Sequence, residues 1–403
     1  MDKNQVIGIA LIVLVMIGYY VFFAPEPKTP EPPAQVEQVA TTAETSSEIQ
    51  ASASTIQAPQ DSASIATHDA ALLDKYGIFA GATQGTGELI NLSNERLSVD
   101  INTHGGLFEQ AILTDYHSYW DSLPVSLWDP ANSSMAIGLT YLGKGHLTTS
   151  DFFFTSQNVK SKATSGSPAT ATLLLATNDP GKFLELNYTL PAESDEVKCT
   201  IRAVGLDGIF DFGSQKPTLN WHAEGWHIEK GIDQERQCSS VFFRYMEKDR
   251  DFLSERSADE EELTEVLNWM TFKQSYFSAM VISDEGFVPG GRLASAPPAL
   301  ETDTLHNTTY DAQLLLPMAQ SANSQTALRF YFGPNQYDHL KATKVTEAVR
   351  IIDYGWWIFG WINRNAIRPV FNFLSSHIAS AGLVIIILTV LIKMLLFPIT
   401  WKN

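Results

Sequence analysis

The sequence predicts a mainly β fold, a large antiparallel sandwich flanked by α-helical transmembrane spans, with an amphipathic interfacial helix before the second span. Three observations predict it. Short segments of alternating polarity run from Tyr76 to about Phe332. Two long apolar runs, Val6 to Phe23 and Gly382 to Ile399, lie toward the two ends. A Trp-rich segment, Tyr354 to His377, directly precedes the second run.

Composition narrows the function classes. The 403 residues carry 27 Lys+Arg against 45 Asp+Glu, a net charge of −18, so the basic footprint of a nucleic-acid binder is missing and no nucleic-acid partner is expected. Two cysteines, Cys199 and Cys238, exclude a disulfide scaffold and a four-thiolate zinc site. They either pair outside the cytoplasm or remain two buried thiols, since sequence does not supply their separation.

Val6 to Phe23 contains no charged residue. As a helix it would reach about 27 Å, close to the hydrocarbon thickness. The rival reading is a secretory signal. Cleavage after Ala24 would need a small residue where Phe22 stands, and no cysteine follows to carry a lipid, so an uncleaved span is expected over 1–24. Tyr19, Tyr20, Phe22 and Phe23 would form its outer aromatic belt. Residues 25–75, rich in Pro, Ala, Ser and Thr, read as a disordered tether.

Within the middle region, Val197, Cys199, Ile201 and Ala203 alternate with Lys198, Thr200 and Arg202, a half-buried strand with Cys199 inward. Strands also fit Leu97 to Ile101, Ala171 to Ala176, Phe183 to Leu190 and Ala327 to Phe332. Gly105-Gly106, Asp179-Pro180-Gly181 and Pro289-Gly290-Gly291 read as turns. Glu247 to Glu265, with nine acids and three bases, reads as a solvated loop or short helix, and Asn335 to Ile352 as a helix leading toward the membrane.

Chemistry is sparse here. Trp221-His-Ala-Glu-Gly-Trp-His227 places His222 and Glu224 on one strand face and His227 on the other, with a spacing that fits no standard metal pattern. His104 beside Gly105-Gly106 is either a catalytic base in a sugar-converting sandwich or a solvated turn residue. No nucleophile elbow, phosphate loop or dinucleotide fingerprint is present, and no cofactor or metal is expected.

The C-terminal segment carries more. Trp356, Trp357 and Trp361 precede the apolar run; Arg364, Arg368, Asn372 and Ser375 share one helical face, and Ile367, Val370, Phe371 and Leu374 the opposite one. That pattern suits a helix lying in the membrane interface, with a kink or restart expected at Pro369; core packing is the alternative. The run from Gly382 holds one charge, Lys393, about 18 Å along the helix from Ala381. An ammonium at that depth costs roughly 2.5–3.5 kcal/mol, so Lys393 either lines a hydrated groove or snorkels to the inner headgroups. Gly382, Thr389, Lys393 and Thr400 fall on one helical face. The acid-rich segment after the first span and Lys402 after the second favour both ends inside and the middle outside.

Asp353-Tyr-Gly-Trp-Trp, Arg368-Pro-Val-Phe and Gly382 to Thr400 together resemble the YidC family of membrane protein insertases. Tyr331-Phe-Gly-Pro, Gln274-Ser-Tyr-Phe-Ser, and Glu229-Lys-Gly-Ile with Glu235-Arg236 are similar to the external domain of its Gram-negative members. The resemblance implies an insertase and chaperone, not an enzyme, in the bacterial inner membrane, working with or without the Sec translocon. Its partners would be nascent membrane proteins, Sec components and the lipid bilayer. It further implies a periplasmic supersandwich similar to sugar-mutarotase folds over 76–334, a connecting helix over 335–353, an interfacial helix over 354–378, and the first span of a five-span core over 379–403. Lys393 stands where the family usually has Arg, which loses the bidentate fork, and Thr389 and Thr400 would help hydrate the groove. The chain ends at Asn403 just after that span, so it is expected to be the N-terminal part of a longer protein. The alternative readings are a membrane-tethered carbohydrate binder or sugar epimerase, and a plain anchored scaffold.

Overall fold

A computed structural model describes residues 62–300, 302–353, 357–378 and 380–401. The expected N-terminal span and most of the tether lie outside these residues. The described part opens with helix α1 (Ser62–Tyr76), which occupies the end of the expected tether. Its Ala-Ala-Leu-Leu stretch favours helix, and Leu72 finds apolar partners in the domain core, which offsets the cost of ordering.

Strands β1 (Leu89–Ser93), β2 (Leu97–Asn102), β3 (Phe108–His117) and β4 (Pro124–Trp128) form a four-stranded antiparallel sheet in that order. The other strands are β5 (Ser133–Tyr141), β6 (Gly145–Thr148), β7 (Thr155–Lys160), β8 (Ala169–Ala176), β9 (Phe183–Leu190), β10 (Glu196–Val204), β11 (Thr218–Trp226), β12 (Ser240–Tyr245), β13 (Arg250–Phe252), β14 (Asp259–Glu262), β15 (Leu267–Lys273), β16 (Phe277–Ala296), β17 (His306–Leu315) and β18 (Asn323–Pro334). They make a second, larger sheet in the order β6-β5-β11-β17-β16-β18-β10-β9-β8-β7, with β15 and β14 also pairing with β16. Mainly antiparallel, sandwich-like architecture is thus observed. The period-two pattern is strict in β2, β8, β9 and β10 and breaks in β18, where Phe330, Tyr331 and Phe332 are all buried. In β9 and β10, Leu184, Leu186, Tyr188, Leu190, Val197, Cys199, Ile201 and Ala203 are buried, and their neighbours within each strand are not.

Aromatic rings join the two sheets. Phe108 of β3 meets Tyr188 at 5.3 Å, Phe330 at 4.9 Å and Phe332 at 5.3 Å. Trp128 of β4 meets Trp221 edge-on at 5.1 Å, and Trp221 meets Phe272 at 4.6 Å. Gly106 has φ +77°, and a Cβ there would lie 2.8 Å from a Leu186 methyl, so the Gly105-Gly106 turn admits no side chain at its second position.

Three expectations are corrected. Pro289-Gly290-Gly291 is not a turn but a bulge inside the 20-residue β16, where the register with β17 shifts between Val288 and Arg292. The acidic run 247–265 contains β13 and β14 instead of a loop or helix; Glu260 stands opposite Ala294 and Glu262 opposite Arg292 in the ladder, and Glu260 also pairs with the Arg292 guanidinium. Asn335 to Ile352 is not one helix. It splits into α2 (Tyr337–Ala342) and a 3-10 turn at Ala348–Ile351, because Lys344 (φ 58°) and Glu347 (φ 63°) are left-handed. Glu347 is held there by the Arg250 N–H (2.7 Å) and the Arg350 guanidinium.

Candidate functional site

The segment that leaves the sandwich is fastened at its root. Phe277 pairs with Pro334 where β16 begins and β18 ends, the Tyr331 hydroxyl donates to the Pro334 carbonyl (2.6 Å), and the Ser278 hydroxyl to Asn335 Oδ1 (2.7 Å). Two stretches singled out in the sequence, 274–278 and 331–334, therefore meet at one place. Beyond it, Leu340, Ala348 and Ile351 are buried in a second core with Phe242, Trp269, Met280, Ile282 and Tyr331. The Trp269 indole N–H donates to the Thr346 carbonyl at 3.0 Å. Arg329 binds Glu196 (2.9 Å), Asp284 (2.8 Å) and the Thr343 carbonyl (2.9 Å), tying β10, β16 and the end of α2 together.

The helices that follow are α3 (Trp357–Ile362), α4 (Arg368–His377) and α5 (Ala381–Trp401), with a π turn over Asn363–Ile367 joining α3 to α4. Pro369 sits in the first turn of α4, where its missing N–H is harmless, and the π turn just before it absorbs the change in hydrogen bonding. Arg368 lies over the Tyr337 ring at 3.3 Å from the centroid, with Asp338 Oδ1 3.7 Å from its guanidinium, so α4 is linked to α2. Trp361 and Phe373 are about two-thirds exposed, and Asn372 and Ser375 are exposed as well. Trp356 falls outside the described residues, as do the side chains of Trp357, Arg364 and Thr400.

Helix α5 contacts α4, and along it Val384 is buried while Ile387, Leu388 and Ile392 are partly sheltered. Thr389 and Lys393 are exposed, one turn apart and about 140–180° round the helix from Val384. Ile385, Ile386, Val390, Leu391 and Met394 are exposed around them. The Thr389 hydroxyl donates to the Ile385 carbonyl (2.8 Å), so its proton serves its own helix and only its lone pairs face outward. Among the described residues no helix is long and apolar enough to cross a membrane, the side chains of α5 being described through Met394.

The polar cluster of the sandwich resolves into separate pairs. His222 bonds Asp311 (2.8 Å) on the exposed face of the sheet, and Glu224 lies 3.7 Å from His306, which itself bonds Asp303 (2.9 Å). His227 lies 3.5 Å from Glu235, both nearly buried, and burial pushes the Glu235 carboxyl up despite the Ile228 N–H and the nearby imidazole. Among the described residues no three His, Cys, Asp or Glu side chains are grouped to hold a metal. His104 stacks on Phe153 at 4.5 Å. Cys199 and Cys238 are both free thiols. Sequence reasoning did not foresee Glu235 as a buried partner of His227, nor Tyr337 under Arg368; Glu235 was visible only through family resemblance.

Residues 89–365 match the family model described as the YidC periplasmic domain. This chain belongs to the YidC family. The membrane protein insertase YidC of Phocaeicola vulgatus is 30% identical over 412 residues, covering 100% of this chain and 63% of the relative. That of Porphyromonas gingivalis is 29% identical over 412 residues (100% and 64%), and that of Cytophaga hutchinsonii 30% over 403 (96% and 60%). The chain thus spans under two-thirds of the length of these YidC relatives. Among solved structures, a galactose mutarotase related enzyme from Lactobacillus acidophilus is similar at TM-score 0.37 and 12% identity, covering 61% of this chain and 97% of that one. An alpha-N-acetylgalactosaminidase from Bifidobacterium bifidum is similar at TM-score 0.41 and 10% identity, covering 63% and 38%.

Proposed function

We propose that this chain is the N-terminal part of a membrane protein insertase and chaperone of the bacterial inner membrane, working with or without the Sec translocon. Residues 76–334 form its periplasmic supersandwich, 6–23 and α5 its spans, and the 354–378 segment its interfacial helix, with Trp356, Trp357, Trp361, Arg364 and Arg368 at the headgroup level. The observation that carries this reading is the exposed Thr389–Lys393 face of α5, in a chain whose relatives bear the name membrane protein insertase. In the longer protein that face, with Thr400, lines a hydrated groove shared with the remaining spans.

The mechanism needs no covalent step. Lys393 supplies a fixed positive charge below the polar surface and attracts acidic residues in the outer segment of a client helix. Water held by Thr389 and Thr400 lowers the desolvation cost of that segment as it enters. The apolar part of the client then passes into lipid. The test is client insertion by the full-length protein carrying Lys393→Ala or Lys393→Arg. Lys393→Ala should slow clients with acidic external segments by about tenfold, the loss of roughly 1.4 kcal/mol, and Lys393→Arg should retain them. Equal insertion by all three forms would remove the groove role.

A further inference from the structure

The loop joining β3 to β4 forms a tight tip, closed by the Ser118 N–H on the Leu123 carbonyl (2.9 Å). It presents Tyr119, Trp120 and Leu123 to the outside, with 56, 58 and 61% of their surfaces exposed. The tip is rigidly seated. The Tyr119 N–H donates to the Ile228 carbonyl (3.0 Å), the Trp120 indole N–H donates to the Glu229 carbonyl (2.8 Å), and the indole meets His227 edge-on at 5.0 Å. Asp121 accepts from the Leu123 N–H (3.0 Å), so its carboxylate is engaged within the turn. The Lys230 ammonium stands 5.9 Å from the Tyr119 ring. Exposing three large apolar side chains together, already ordered, is unfavourable in water and calls for something that covers them.

Their position says what covers them. Three residues before the tip, the Tyr116 hydroxyl accepts from Gln336 (3.0 Å) and its ring meets Phe277 edge-on at 5.3 Å. Gln336 immediately precedes α2, whose Tyr337 carries Arg368 of α4. The Tyr276 carbonyl accepts the Asn335 N–H at 2.6 Å, and 62% of the residue is exposed. The tip, Tyr276 and the point where the chain departs for α3 to α5 thus share one end of the sandwich, and α4, whose first residue Arg368 lies over Tyr337, carries exposed Phe373. Tyr and Trp beside Leu and a lysine, on an exposed loop tip, is the composition that settles at the headgroup level of a bilayer.

We propose that Tyr119, Trp120, Leu123 and Tyr276 form a lipid-docking rim that seats the periplasmic domain on the outer surface of the membrane, Lys230 facing the phosphates. The proposal rests on the membrane reading of α4 and α5. It is tested with the full chain, in a Cys238→Ser background, reconstituted into phosphatidylethanolamine–phosphatidylglycerol vesicles. Spin labels are placed singly through Leu123→Cys, Phe373→Cys and Leu142→Cys, the last just past the end of β5. Collisions with oxygen, which partitions into lipid, and with a water-soluble nickel chelate report the depth of each label. Position 123 should resemble 373, with oxygen collisions dominant, and 142 should remain in water. A label at 123 as exposed to the chelate as 142, while 373 is in lipid, overturns the rim alone. Both 123 and 373 in water would overturn the membrane reading as well. Shielding of 123 from both reagents marks contact with protein instead and also overturns the rim. Trp120→Ser should move the label at 123 toward the chelate without moving that at 373.

Discussion

Removing the charge of Asp303 is expected to destabilise the folded domain by about 1–2 kcal/mol at neutral pH, and by less in acid. Partial burial raises the Asp303 carboxyl, but hydrogen bonds from His306 Nδ1 (2.9 Å) and from the N–H groups of Leu305 (2.8 Å) and His306 (3.0 Å) outweigh it and hold the pKa at about 2, against an ordinary 3.8. The gap corresponds to roughly 2.4 kcal/mol, which solvent screening at this partly open site reduces to about 1–2 kcal/mol. Because the folded value lies below the unfolded one, this stability is complete above the unfolded pKa and is lost as pH falls toward the folded one. The assay is urea unfolding followed by tryptophan fluorescence, comparing the parent with Asp303→Asn at about pH 7 and about pH 3. The two should differ clearly at about pH 7, and the difference should fall to about half at about pH 3, which lies between the folded and unfolded values. A difference that is the same at both pH values would refute the argument, since it would then come from shape and not from charge.

Three further outcomes follow from the packing. Burial pushes the Cys199 thiol up to about 12, although the Tyr188 hydroxyl partly offsets this, so iodoacetamide at pH near 8 should label Cys238 in the folded protein and reach Cys199 only in denaturant; mass spectrometry of labelled peptides decides it. Arg329→Ala strands the half-buried Glu196, whose carboxyl burial already raises, and should cost about 2–4 kcal/mol, with much of it recovered in Arg329→Met/Glu196→Leu, as read by denaturant midpoints. Gly291→Ala would put a Cβ 2.3 Å from the Gln313 carbonyl oxygen in the β16 bulge, a backbone atom with little room to move, and should cost about 1–3 kcal/mol in the same measurement.

The sequence was most legible where one physical signal dominated. β9 falls on its expected residues, Phe183–Leu190, because strict alternation and an Asp-Pro-Gly turn agree, and β10 and β18 each extend the expected strand by at least a residue at both ends. It was least legible where pairing partners lie far away in the chain. β14 is an acid run that becomes a strand because β16 offers a ladder edge and Arg292 a counter-charge. β16 runs through Pro-Gly-Gly because neighbours on both sides hold it extended. The left-handed turn at Glu347 depends on the N–H of Arg250, far back in the chain, which no local window reveals. Lys393 stood out in the sequence as a charge in an apolar run, whereas the 118–123 tip has no periodicity and became visible only once Ile228 and Glu229 were seen to hold it.

The length of β16 carries a consequence for how the protein comes into being. Its first half pairs with β15 and β18, and its second half with β14 and β17, so one strand is the common spine of both halves of the large sheet. β10 finds β18, and β11 finds β17, only when residues 306–334 are available. A ribosome delivers the chain with most strands first and the spine, β17 and β18 at the end. The early strands must therefore wait with open edges until nearly the whole domain has been made, and assembly, when it comes, closes both halves at once.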